Sequence, residues 1–178
     1  MIERALNINC SIIKKIMDRA GLSRYSYSPT SSEEDRIRIQ KSFYILTHFG
    51  INVGVRWEWR IIGPFSSELF YILITQMPQA TIEDVQFKHE RDILKRLTTF
   101  KSSIGDILDR YNVKYTIILA ASLYIENSDH KTYSKEELVP RLARALSCKQ
   151  DELDTIVDVI YPMIKTIRNF KKREGDPK

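Results

Sequence analysis

Residues 36–71 read RIRIQKSFYILTHFGINVGVRWEWRIIGPFSSELFY, and this stretch decides the fold. Its first part is helical. Ile39, Phe43 and Leu46 recur at spacings of four and three, and Gly50 stands where a helix ends in a left-handed residue. A strand follows, in which Val53, Val55, Trp57, Trp59 and Ile61 alternate with Gly54, Arg56, Glu58, Arg60 and Ile62. Successive side chains of an extended chain point to opposite faces, and β-branched and aromatic residues suit that surface. The Val/Trp/Trp/Ile face is expected to be buried, and the Arg56/Glu58/Arg60 face to meet solvent or a partner. Gly63 permits a sharp bend, and Pro64 removes a donor and ends the strand. Ser66 or Ser67 caps a helix that begins near Glu68 and runs to Gln76.

Working outward, Leu6, Cys10, Ile13, Met17 and Ala20 mark an amphipathic N-terminal helix closed by Gly21. Residues 23–32 (SRYSYSPTSS) have no apolar period and read as an exposed loop, after which Glu33, Glu34 and Asp35 suit a first helical turn. Pro78 stops the helix that ends at Gln76, and Thr81 with Asp84 caps the next. A long pattern then runs from Ile93 through Leu97, Phe100, Ile104 and Leu108 to Tyr111, with Ser102, Ser103 and Gly105 predicting a bend. Its polar face mixes Lys88, Arg91, Lys95, Arg96 and Lys101 with Glu90 and Asp92. Residues 113–125 are apolar on nearly every side, which predicts a buried helix at the hub. Ser134 and Glu137 form a capping box for a helix to Leu146, and a last helix runs from Asp151 to Phe170. Pro140 and Pro162 predict kinks in these two helices. The expected class is mainly α with a small β element: a multi-helix domain around a buried central helix, with one aromatic strand or hairpin. Its parts are an N-terminal helix (1–22), a flexible loop (23–35), a core (36–147), a C-terminal helix packed on the core (148–170) and a mobile basic tail (171–178).

A chain of 178 residues with 43% hydrophobic residues can bury a core without disulfide staples. Cys10 and Cys148 lie far apart without metal-ligand spacing and read as buried free thiols in a reducing compartment. No apolar run reaches the roughly 20 residues of a membrane span, and no signal peptide is evident, so the expected location is cytoplasmic. The net charge of +5 permits contact with nucleic acid or an acidic protein without requiring it.

Three features together carry a family resemblance: Lys41 ahead of Phe43 and Tyr44, the run Phe49-Gly50-Ile51, and Gly63-Pro64-Phe65-Ser66 with Leu69 after the aromatic strand. In this order they resemble the YwgA-like family and, more distantly, the Panacea antitoxin domains. Residues 117–127 (IILAASLYIEN) are similar to that family's apolar helix, and the resemblance covers roughly residues 36–145. Phe65 stands where the family carries Tyr, so no role of that hydroxyl carries over. Panacea domains neutralise toxins by direct binding and are tied to defence against phage and plasmids. The resemblance therefore implies a prokaryotic binding protein.

Candidate sites are few. The turn Gly63, Pro64, Phe65 and Ser66 lies between a strand end and a helix N-terminus, where free N–H groups receive an anion or a partner's carbonyl. With Arg56 and Arg60 it forms the partner-binding candidate; its competing reading is a corner and a helix cap. Arg24, Tyr25 and Tyr27 can stack on bases beside phosphates, and Arg168, Lys171, Lys172 and Arg173 can grip phosphates. The competing readings are a linker and a solubilising tail. His48, His89 and His130 lie in separate elements without ligand spacing, and His48 at a helix end suits an imidazolium. No phosphate-cradling loop or catalytic motif is present, and no metal or cofactor is expected. The leading expectation is a non-catalytic accessory subunit that docks on a protein partner in a defence or toxin–antitoxin system and assists nucleic-acid binding. The alternatives are a stand-alone winged-helix-like DNA-binding regulator and a metal-dependent nuclease using Glu58, Glu68 and Lys41.

Overall fold

The computed structural model describes residues 10–25, 27–28, 31–77, 87 and 89–174. Leu6, Pro78, the Thr81–Asp84 cap, Lys88 and residues 175–178 lie outside the described residues. The architecture is mainly helical with one small antiparallel sheet. In order it comprises α1 (Cys10–Arg19), α2 (Glu33–Thr47), β1 (Glu58–Arg60), β2 (Gly63–Phe65), α3 (Ser67–Tyr71), α4 (Glu90–Phe100), α5 (Asp106–Leu108), α6 (Val113–Ser128), α7 (Lys135–Leu146) and α8 (Gln150–Glu174). A π-helical turn, Ile72–Gln76, extends α3, and another, Lys101–Gly105, joins α4 to α5. The second turn falls where Ser102, Ser103 and Gly105 weaken the pattern; the helix relaxes there instead of breaking.

α6 is the hub. It packs on α2, α7, α8 and β2, and residues 118–123 are all buried. Such a helix has no polar face along its middle, where it meets no solvent. α2 is a second one: residues 39–46 are buried without interruption, including Gln40, Lys41 and Ser42. Phe49 ties three elements together, with its ring 5.7 Å from Phe100 and 4.9 Å from Phe170.

Helix ends follow local chemistry. Ser32, Ser66 and Asn112 accept backbone N–H bonds as N-caps, and Ser134 with Glu137 forms the reciprocal capping box. α2 ends at Gly50 (φ +75°), with the Ile51 N–H bonded to the Leu46 carbonyl at 3.1 Å. α6 ends the same way, with His130 in the left-handed position (φ +50°) and the Lys131 N–H on the Glu126 carbonyl at 3.1 Å. α7 and α8 run unbroken through Pro140 and Pro162.

Several expectations need correction. Burial alternates from Ile51 to Arg60, but only Glu58–Arg60 is ladder-bonded strand. Ile61, assigned to the buried face, is 91% exposed because it sits at the tip of a hairpin. Gly63-Pro64-Phe65 is the returning strand and not a corner: Glu58 pairs with Phe65, Trp59 with Pro64 and Arg60 with Gly63. Pro64 is tolerated because a two-stranded ribbon leaves it on an edge. The basic tail is also shorter than expected, since Lys171, Lys172 and Arg173 continue α8. Residues 23–35 are likewise not a free loop throughout, because α2 starts at Glu33 and Tyr25 and Tyr27 are half-buried.

Candidate functional site

The hairpin is fastened from behind by α2. The buried Gln40 amide donates to the Ser66 carbonyl at 3.2 Å and accepts from the Ser66 N–H at 3.3 Å. The Lys41 ammonium, 1% exposed, donates to the Pro64 carbonyl at 2.7 Å. Ser66 Oγ takes the Leu69 N–H at 3.2 Å. Gly63 lies against Ala121 of α6, where a Cβ would sit 3.5 Å from that methyl, and its φ of +94° favours glycine. The anion-receptive turn expected at Gly63, Pro64, Phe65 and Ser66 is therefore not realised. Gly63, Pro64 and Ser66 are buried and the Ser66 and Leu69 donors are occupied. What remains outside is Arg56, Arg60, Glu58 and the tip residues Ile61 and Ile62. Arg60 pairs with Glu58 at 2.5 Å and lies over the Phe65 ring at 5.9 Å.

The trio Glu58, Glu68 and Lys41 does not assemble. Glu58 bonds Arg60 and Ser67, Glu68 accepts from the Arg56 N–H at 2.8 Å, and Lys41 points into the core. Among the described residues no group of three His, Cys, Asp or Glu side chains stands at metal-ligand spacing. Cys10 and Cys148 are half-buried free thiols, each with its pKa raised by burial.

The expected nucleic-acid residues separate into two places. Arg24 and Tyr25 are both bonded to Asp109, and burial together with that carboxylate pushes the Tyr25 phenol up to about 12. Tyr27 packs edge-on against Phe70 at 6.2 Å. These three side chains serve the fold. Arg168 is structural as well. It pairs with the buried Glu126 and donates to the Tyr133 carbonyl at 2.8 Å, tying the turn after α6 to α8. Lys172 and Arg173 lie exposed on α8.

Lys171 has a different setting. It lines a cavity of about 200 Å³ with His48, Asn127, His130 and Lys131, and a second of about 340 Å³ with Tyr44, Trp57 and Tyr124. No protein-family model, curated protein or solved structure matches the chain. Partial burial lowers the Lys171 pKa. His48, 6% exposed, has its pKa lowered to about 3, first by burial and then by the charge of Lys171. This overturns the imidazolium expected at the end of α2, since His48 is neutral here. Among the described residues the Trp57 indole N–H is buried without an acceptor. Tyr44 stands edge-on to both His48 and Trp57 at 5.2 Å, so hairpin and cleft share one aromatic cluster. His48, His130 and Lys171 thus meet in space although they are far apart in sequence, while His89 lies apart at the start of α4. Among the described residues no helix is long and apolar enough to cross a membrane.

Proposed function

We propose that this protein is a non-catalytic binding subunit that docks on a protein partner through the tip of its β-hairpin. The observation that carries the proposal is Ile61, 91% exposed beside Ile62 at 37%. Turn tips favour Gly, Asn and Asp for conformational reasons, and a β-branched pair adds nothing to the turn itself. Seating one isoleucine in an apolar socket contributes about 1.5–3 kcal/mol. Arg60 adjoins the tip, paired with Glu58, and Arg56 lies at the open end of the hairpin, so the partner that fits presents an apolar socket with polar groups around it. The bonds from Gln40 and Lys41 hold the hairpin in place before docking, which limits the entropy lost on association.

The resemblance to Panacea domains supports a partner from a prokaryotic defence or toxin–antitoxin system. The net charge of +5 supports a complex that also meets nucleic acid. The test is capture from the native host after nuclease treatment, with the wild-type chain beside an Ile61→Asp, Ile62→Asp double variant. A stoichiometric protein retained by the wild type and lost by the variant is the expected result. The same proteins at the same yield on both baits would refute docking through the tip.

A further inference from the structure

Three depressions adjoin one another around the C-terminal end of α6. The first two share His48, Asn127 and Lys171, and the second shares Tyr124 and Ser128 with a third of about 290 Å³. The third is walled by Trp59, with Arg141 and Arg144 on its α7 side. A continuous surface track results, with cations and the carboxylates Glu126 and Asp129 in its outer depressions and aromatic rings between them.

The cations are not equivalent. Arg168 is committed to Glu126, Lys131 pairs with Glu137 at 3.2 Å, and Arg141 pairs with Asp129 at 3.6 Å. Lys171 and Arg144 form no ion pair or hydrogen bond among the described residues. One unpaired cation therefore stands on each side of the aromatic segment. Between them Trp57, Tyr124 and Trp59 are half-buried, with the Trp59 and Tyr124 rings 5.3 Å apart. A linear, open arrangement suits a chain better than a small enclosed ligand.

We infer that this track binds single-stranded nucleic acid, with Lys171 and Arg144 taking backbone phosphates and Trp57, Tyr124 and Trp59 taking unpaired bases. Aromatic faces accept any base, so the binding is sequence-tolerant. Paired bases in a duplex present no face for stacking, so a duplex is a poor ligand. The track shares no residue with the Ile61–Ile62 tip, so this inference and the docking proposal fail separately.

The test is fluorescence anisotropy of the purified chain with fluorescein-labelled oligothymidylate and oligouridylate at low salt, with unlabelled duplex as competitor. Binding that weakens as salt rises is expected. Arg144→Glu, Lys171→Glu and Trp59→Ala each weaken it by roughly tenfold. Arg144 is exposed and unpaired, so its variant keeps the fold and the test stands even where Trp59→Ala lowers stability. Lys95→Glu, on the exposed side of α4, makes the same charge change and leaves affinity within about twofold. Absence of binding, an equal loss in Lys95→Glu, or duplex competing as well as the strand would overturn the inference.

Discussion

Lys41→Met is the sharpest test of how the hairpin is held. Lys41 is 1% exposed, and its one hydrogen bond among the described residues is to the Pro64 carbonyl. Burial lowers its pKa from 10.5 to about 8. At about 1.36 kcal/mol for each tenfold change in proton affinity, keeping that ammonium charged costs roughly 3 kcal/mol at neutral pH. The sign follows from proton counts. Between pH 8 and 10.5 the unfolded chain still holds the proton that the folded chain has released, so stability rises with pH in that window. Linkage from these two values gives a gain of about 2 kcal/mol between pH 7 and 9.5. Methionine matches the shape and carries no charge, but leaves the Pro64 carbonyl without its donor, at a cost of about 1–3 kcal/mol. The two effects nearly cancel at pH 7, so Lys41→Met is expected within about 2 kcal/mol of wild type there. Relative to wild type it then loses about 2 kcal/mol by pH 9.5, because only the wild type gains. Urea unfolding followed by circular dichroism at both pH values measures the difference between the two chains, which removes groups common to both. Parallel pH profiles would show that Lys41 carries no buried charge and would refute the reasoning.

Two further outcomes follow from the same geometry. Because burial holds His48 near 3, the unfolded chain takes up a proton as pH falls below 6.5 and the folded chain does not. His48→Phe is therefore expected to spare roughly 2 kcal/mol of the wild-type stability loss between pH 7 and 5, read from thermal or urea unfolding. Gly50→Ala forces a left-handed φ of +75° on a residue with a Cβ, which would sit 2.6 Å from Arg96 Nη1 and displace its bond to the Phe49 carbonyl. The left-handed φ alone costs about 1–2 kcal/mol, a loss shared by Gly54→Ala (φ +78°, nothing within 4 Å of its Cβ), so urea unfolding is expected to show a larger loss for Gly50→Ala, the excess being the crowding of Arg96.

Local chemistry was legible and non-local chemistry was not. The Ser134–Glu137 box, the Gly50 helix end, the buried 113–125 helix and the burial alternation up to Trp59 each depend on neighbours within a few residues, and each is found in the structure. The hairpin was half-read because Pro64 signals a strand end. The proline ends hydrogen-bond donation only, and its carbonyl still serves as the anchor for Lys41. Nothing in the period of α2 marks Gln40 and Lys41 as buried, since their reason for burial lies more than twenty residues onward at Pro64 and Ser66.

His48 shows how magnitudes decide between two sound arguments. A helix C-terminus favours imidazolium by about 0.3–1 kcal/mol, and by ~2 kcal/mol in good geometry. Burial that lowers the pKa from 6.5 to about 3 opposes the charge by roughly 5 kcal/mol, so desolvation wins. Position in sequence reveals the dipole and hides the burial, because the burial is supplied by α6 and α8. The same reasoning applies to the whole track around α6. Its residues come from α2, the hairpin, α6, α7 and α8, and no window of sequence contains more than a few of them. A basic residue such as Lys171 reads as one more solvated lysine until packing places it, unpaired, between a neutral histidine and an aromatic wall.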